Sequence, residues 1–185
     1  MKVQVSSRSL GPVDGETRWL NPDERGAWMS FIATVSLLEA ALDRQLQRDA
    51  DMPHAYYQIL AMLSEVPGRA LRMSDLAAIT QSSQSRLSHA VSRLERNGWV
   101  RRRPCPDDRR STFAELTEAG FAALAAAAPG HVRSVRENLF DQLTPEQVGQ
   151  LHDICRAVLS RLAAAPGAVP LPGACGTPTP EGPGR

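Results

Sequence analysis

Two stretches of helical periodicity, Ser74 to Ile79 and Ser83 to Asn97, are separated only by the polar turn Thr80-Gln81-Ser82, and no other feature limits the fold as tightly. On the second stretch Leu87, Val91 and Leu94 fall on one face and point inward. Gly98 then stands in the left-handed stop position that ends a helix. Trp99 to Arg103 reads as a strand, Pro104 to Arg110 is turn-rich, and Ser111 to Leu116 returns as a second strand. Two close helices followed by a hairpin predict a mainly α fold with a small β-hairpin wing, the winged variant of a helix-turn-helix.

Longer helices flank this unit. Asn21-Pro22-Asp23-Glu24 has a capping residue, a proline at the first helical position and an acid at the third, so a helix starts there. Trp28, Phe31, Ile32, Val35, Leu38, Leu42 and Leu46 extend its apolar stripe to about Gln47. Pro53 opens a helix carrying Tyr56, Ile59, Leu60 and Leu63, which Pro67-Gly68 stops. Thr117 restarts helix through the alanine run Ala119 to Ala128, Pro129-Gly130 is expected to interrupt it, and His131 to Leu143 resumes the pattern. Thr144-Pro145-Glu146-Gln147 caps a last helix striped with Val148, Leu151, Ile154, Cys155, Val158, Leu159 and Leu162. The first and last helices carry more apolar surface than a small winged domain needs, which predicts a homodimer.

At 185 residues the chain is long enough for one domain with a real core. Residues 1–20 are short and polar and are expected to be a flexible extension. The last 22 residues hold six prolines and five glycines, a composition that predicts a disordered tail over 164–185. The folded unit is then 21–163. No apolar run approaches a membrane span and no signal pattern opens the chain, so a soluble, cytoplasmic protein without membrane contact is expected. Cys105, Cys155 and Cys175 are scattered and show no ligand spacing, so neither a disulfide framework nor a metal site is expected. Cys155 falls on an apolar stripe and is expected in the core or a dimer interface. Cys105, in the hairpin loop, is expected to be exposed and incidental rather than a redox sensor.

The net charge is only +1, and 20 of the 21 basic residues are Arg, with Lys2 the exception. Yet eight arginines lie between Arg86 and Arg110 against three acids, Glu95, Asp107 and Asp108. A helix that enters a DNA groove needs polar side chains at its N-terminal end, where it projects deepest and its amides face phosphate. Ser83, Gln84, Ser85, Arg86, Ser88 and His89 meet that need, with Gln84 and Arg86 the best base readers and Arg93 either a phosphate contact or one half of an intramolecular pair near Glu95 or the hairpin. Arg109 and Arg110 at the hairpin tip suit a minor groove, and Asp108 can orient Arg110 by an ion pair. In the run Arg101 to Arg103, strand alternation sends neighbours to opposite faces, so only some of the three can reach phosphate.

The block Leu76-Ala77, Ser83-Gln84-Ser85, Leu87-Ser88, Arg93-Leu94-Glu95, Gly98-Trp99-Val100, Arg102, Asp108-Arg109-Arg110 and Leu116-Thr117-Glu118-Ala119-Gly120 resembles the winged core of the MarR (multiple antibiotic resistance regulator) family. The resemblance spans about 21–163 and is strongest over 70–120. It implies a homodimeric, ligand- or oxidant-responsive transcriptional regulator, more often a repressor, on a pseudo-palindromic double-stranded DNA operator. Under it, 21–50 and 118–163 are dimerisation helices and 53–117 the DNA-binding lobe, with Arg110 as the wing-tip arginine, Asp108 its partner and Ser83 to His89 in the major groove. The chain departs from the pattern at His89, where an arginine is common, and at Arg72, where a capping Ser or Thr often sits.

The resemblance also implies an effector cleft between the dimerisation helices and the DNA-binding lobe. Trp28, Phe31, His54, Tyr56, Tyr57 and His131 are the aromatic and polar groups able to line one, suited to a small aromatic or phenolic molecule. The bland reading puts such aromatics in the core and the two histidines at the surface or in caps. No catalytic or nucleotide-binding fingerprint occurs, so neither an enzyme nor a cofactor is expected. The rival function is a winged helix used only for dimerisation or protein contact.

Overall fold

The computed structural model describes residues 17–105 and 111–163. The expected flexible extension falls mostly outside these residues, and the tail over 164–185 and the hairpin tip 106–110 fall wholly outside them. Six helices, α1 (Pro22–Ala50), α2 (His54–Ser64), α3 (Met73–Ile79), α4 (Gln84–Arg96), α5 (Glu118–Asn138) and α6 (Pro145–Ala163), accompany three strands, β1 (Ala70–Arg72), β2 (Val100–Pro104) and β3 (Thr112–Leu116). None of these helices is long and apolar enough to cross a membrane.

The chain divides into two compact units at Ser36/Leu37. In the first, the capping box forms as expected: the Asn21 amide donates to Glu24 Oε2 and the Glu24 amide to Asn21 Oδ1, both at 2.8 Å. The apolar face beyond it is bare, with Trp28, Phe31, Ile32 and Val35 all exposed.

In the second unit, Ile59, Leu60 and Leu63 of α2, Leu76 of α3, Leu87, Val91 and Leu94 of α4, and Val100, Ala114 and Leu116 of the sheet share one core. The three inward residues of α4 are essentially sealed from solvent, which fixes the opposite face of that helix outward. Strand β3 lies between β1 and β2 and is antiparallel to both. Strand β1 has no counterpart in the sequence reading: three residues are too few to show period two, and only pairing with Phe113 to Glu115 makes them a strand.

Helix α4 ends at Gly98, whose φ of +73° is the left-handed conformation expected there. The Trp99 amide reaches back to the Leu94 carbonyl and the Gly98 amide to that of Glu95, which closes the terminus. The Trp99 carbonyl then accepts the Thr117 amide, and Thr117 Oγ1 donates to Gly98 O at 2.7 Å while accepting the Gly120 amide at 3.0 Å. A methyl group at Gly120 would lie 2.0 Å from the Trp99 carbonyl oxygen. The Leu116-Thr117-x-x-Gly120 pattern is thus a core anchor, a helix cap and a close backbone approach in one segment.

Two expectations for the second half are corrected. Helix α5 runs unbroken from Glu118 to Asn138 with Pro129 inside it. The turn that Pro129 leaves one hydrogen bond short involves the Ala125 carbonyl, on an exposed residue that water can serve, and the strong helix formers before it carry the helix through. Cys105 is buried at 3% exposure, not exposed in the loop, and its amide donates to the Ser111 carbonyl across the hairpin. Cys155 is exposed, which excludes a place in the chain's own core.

Helix α6 starts on the expected capping box, with Thr144 and Gln147 exchanging backbone-to-side-chain bonds of 2.9 and 3.2 Å. It buries no residue against its own chain, and Ile154, Val158, Leu159 and Leu162 are exposed.

The two histidines expected at the surface or in caps instead lie half-buried against each other. The His54 ring of α2 sits 5.5 Å from the His131 ring of α5, and Tyr57 lies 4.2 Å from His131. His131 Nδ1 is buried without a partner. Gln45 of α1 is buried beside Gly130; its amide nitrogen donates to Asp49, and its own oxygen has no partner. Burial holds both imidazoles below their ordinary pKa. The Glu39 and Asp43 charges oppose that shift at His54, whereas the His54 charge adds to it at His131.

A group whose folded pKa is depressed takes up its proton first in the unfolded chain. Stability from this pair is therefore complete above about pH 6.5, the unfolded histidine value, and declines as the pH falls below it. We expect the thermal midpoint to drop between pH 7.5 and 5.5 with a shallower slope in His131→Gln; equal slopes would show that the pair does not couple folding to protons. Gly120→Ala should cost about 3 kcal/mol in denaturant unfolding, because the Trp99 carbonyl cannot yield without opening the hairpin base. A loss under 1 kcal/mol, the scale of propensity alone, would show that the contact relaxes freely.

Candidate nucleic-acid interface

The sequence around Ser83 dictates how α4 begins. Ser83 is extended, and its hydroxyl accepts the Arg86 amide at 3.3 Å, the N-cap that sets the helix start. Ser83 therefore serves first as a cap. Gln84, Ser85, Arg86, Ser88, His89 and Arg93 are all exposed on the face opposite Leu87, Val91 and Leu94, as the periodicity predicts. Among the described residues Arg86, Arg93 and Arg96 enter no ion pair, so three free guanidinium groups line this helix. Arg86, His89, Arg93 and Arg96 share an open groove with Tyr56 of α2. A second groove runs from Arg72 and Ser74 past Gln84, Ser85 and Ser88 to Arg102 and Thr112, between the start of α4 and the hairpin.

The three strand arginines divide as alternation requires. Arg101 and Arg103 both reach Glu115 on β3, at 2.6 and 3.1 Å. The Arg101 bond holds the Glu115 carboxyl below its ordinary range, against the effect of partial burial. Arg103 contacts Glu115 Oε2 as an ion pair without hydrogen-bond geometry. Arg102 turns the other way, onto α4: its backbone amide donates to Glu95 Oε1 at 3.0 Å and its guanidinium engages Glu95, Ser92 and Ser88. Sequence reasoning offered the Glu95 neighbourhood only as an intramolecular alternative for Arg93 and did not link Glu95 to Arg102. The available signal was its position one helical turn before Gly98, where a carboxylate faces the returning strand.

Asp107, Asp108, Arg109 and Arg110 lie outside the described residues. Arg72 precedes α3 without a side-chain cap, consistent with the absence of a Ser or Thr there. Of the candidate effector residues, His54, Tyr57 and His131 come together, Tyr56 lines the groove beside α4, and Trp28 and Phe31 are exposed in the first unit. Among the described residues no three His, Cys, Asp or Glu side chains converge to hold a metal ion.

The MarR family model matches residues 50–111, the segment from the end of α1 into the hairpin. The solved structure of Sco3205, a MarR family transcriptional regulator from Streptomyces coelicolor in complex with DNA, is 50% identical and superposes with a TM-score of 0.76, covering 85% of this chain and 99% of that one. The HTH-type transcriptional regulator PecS of Dickeya dadantii (strain 3937) is 31% identical over 139 residues, 72% of this chain and 84% of PecS. The transcriptional repressor MprA of Escherichia coli (strain K12) is 29% identical over 106 residues, 57% of this chain and 60% of MprA. The winged fold, the polar face of α4 and these likenesses agree: the chain belongs to the MarR family, whose members are DNA-binding transcriptional regulators and not enzymes.

Proposed function

We propose that the protein is a homodimeric, effector-responsive repressor that binds a pseudo-palindromic operator in the cytoplasm. The observation that carries the DNA-binding part is the start of α4, where exposed Gln84, Ser85, Arg86, Ser88 and His89 precede the unpaired Arg93 and Arg96 beside a basic hairpin. A helix presented in this way enters a major groove by its first two turns, with Gln84 and Arg86 against base edges and Arg93 on phosphate. Arg109 and Arg110, with Asp108 as the orienting acid, are assigned to the adjacent minor groove. The DNA-bound Sco3205 and the repressor MprA support the reading by likeness.

Dimerisation is supported by two bare apolar faces, Trp28 to Val35 and Ile154 to Leu162. A second copy is the partner that covers both with one chemistry, and two-fold symmetry then sets half-sites roughly 10 base pairs apart. A small aromatic or phenolic effector is assigned to the His54–Tyr57–His131 cluster, where the unpartnered His131 Nδ1 can hydrogen-bond an acidic hydroxyl.

Selection of duplexes from a random pool, followed by titration from 50 to 200 mM salt, should yield a symmetric sequence bound with steep salt dependence. Random duplex bound as tightly, with no sequence enriched, would make the protein a non-specific DNA binder, and absent or salt-insensitive binding to both would leave only a protein-interaction module. Arg86→Ala should lower the preference for the selected sequence by about 1 to 3 kcal/mol; equal losses on selected and random DNA would place Arg86 on phosphate. Val158→Glu should shift sedimentation from dimer to monomer, and a dimer of undiminished affinity would remove α6 from the interface.

A further inference from the structure

We propose that Arg102 is a positioning residue that latches the hairpin to α4 and presents the Ser88 hydroxyl to DNA as a hydrogen-bond donor. This rests on the DNA-binding reading above.

The latch has contacts from both the backbone and the side chain of Arg102. Its amide donates to Glu95 Oε1 at 3.0 Å and Nη1 donates to Glu95 Oε2 at 2.5 Å, so one carboxylate is held by the strand at two points. Nη1 also donates to Ser92 Oγ at 3.1 Å, and Nη2 donates to the Ser88 carbonyl at 2.9 Å and to Ser88 Oγ at 3.3 Å. A planar guanidinium with several donors in fixed directions can serve these acceptors together, which a lysine ammonium on a flexible stem cannot. Because the Arg102 charge is matched by Glu95 within the latch, little of it is left for phosphate.

The two serines differ in what remains to them. The Ser92 hydroxyl donates its one proton to the Ser88 carbonyl at 2.9 Å, so it is spent within the chain. Ser88 Oγ accepts from Arg102 and, among the described residues, donates to nothing. Its proton is free and exposed, in the groove that Gln84 and Ser85 also line. A hydroxyl whose lone pair is engaged by a guanidinium seeks an acceptor, and DNA offers phosphate oxygens everywhere and base acceptors such as guanine O6 and N7 or thymine O4 in the major groove.

The test uses the full chain and the duplex that the wild-type protein selects from a random pool, with thermal unfolding to confirm that each variant folds. Glu95→Gln gives opposite signs under the two readings. Loosening the latch should weaken binding, whereas freeing a phosphate-contacting Arg102 and removing an acid should strengthen it. Stronger binding overturns the proposal. The double variant Glu95→Gln/Arg102→Met keeps the net charge of the pair, and its salt slope should match the wild type while its affinity for the selected duplex falls; a slope smaller by about one unit would make Arg102 a phosphate contact.

Ser88→Ala, an exposed change that leaves the core alone, should weaken binding about ten-fold in the wild-type background and much less in the double variant. An unchanged affinity in the wild-type background, or equal losses in both, overturns the donor role. A loss on the selected duplex alone assigns the acceptor to a base, and an equal loss on random duplex assigns it to phosphate. A wild-type chain that selects no duplex and binds none overturns the DNA function itself and this role with it.

Discussion

The Trp99 carbonyl oxygen is the point on which the second unit turns. It accepts the Thr117 amide, lies within 3.1 Å of the Thr117 hydroxyl, and is approached so closely by Gly120 that no side chain fits there. Through this oxygen the end of α4, the base of the hairpin and the start of α5 become one rigid corner. Any change in direction of α5 is therefore passed to the strand that follows α4, with no loop in between to absorb it.

Charge placement follows the same economy. The net charge is only +1, so binding of a polyanion cannot come from an overall positive field. The chain instead divides its arginines by task. The three consecutive ones on β2 are engaged by Glu115 or Glu95 on alternate faces, whereas those along α4 enter no ion pair among the described residues. Acids placed beside three of the arginines lower the charge density of the hairpin strand and raise its rigidity, and the helix keeps the unpaired charge. The hairpin strand then contributes shape, and α4 contributes charge and chemistry.

Much of this was legible in the sequence because it depends on local rules. Leu87, Val91 and Leu94 announce which face of α4 is buried, Gly98 announces its end, and both capping boxes close as their residues require. What was not legible depends on partners distant along the chain. Strand β1 exists only through β3, and Pro129 is tolerated because exposed backbone and strong neighbouring helix formers offset the lost bond. Burial of Cys105 accompanies the pairing of its amide with the Ser111 carbonyl, six residues further along. The His54–His131 contact joins residues 77 positions apart, a separation at which periodicity carries no information. Within the interface, the exposed side chains of α4 were predictable from spacing, whereas the roles of Glu95 and Arg102 required knowing how the strand returns.

Helix α6 has a consequence of another kind. None of its 19 residues is fully buried against its own chain, yet most helical stability in proteins comes from packing of an apolar face rather than from propensity. Under the homodimeric reading proposed above, its order comes from the second copy that covers Ile154, Val158 and Leu162, and that cover is supplied by mass action. The amount of ordered C-terminal helix then becomes a function of how many copies of its partner are present. A newly made chain at low abundance would carry a frayed terminus open to proteases, and accumulation would protect it. Lifetime and concentration would thus rise together, a positive feedback on abundance written into a helix that its own fold does not hold.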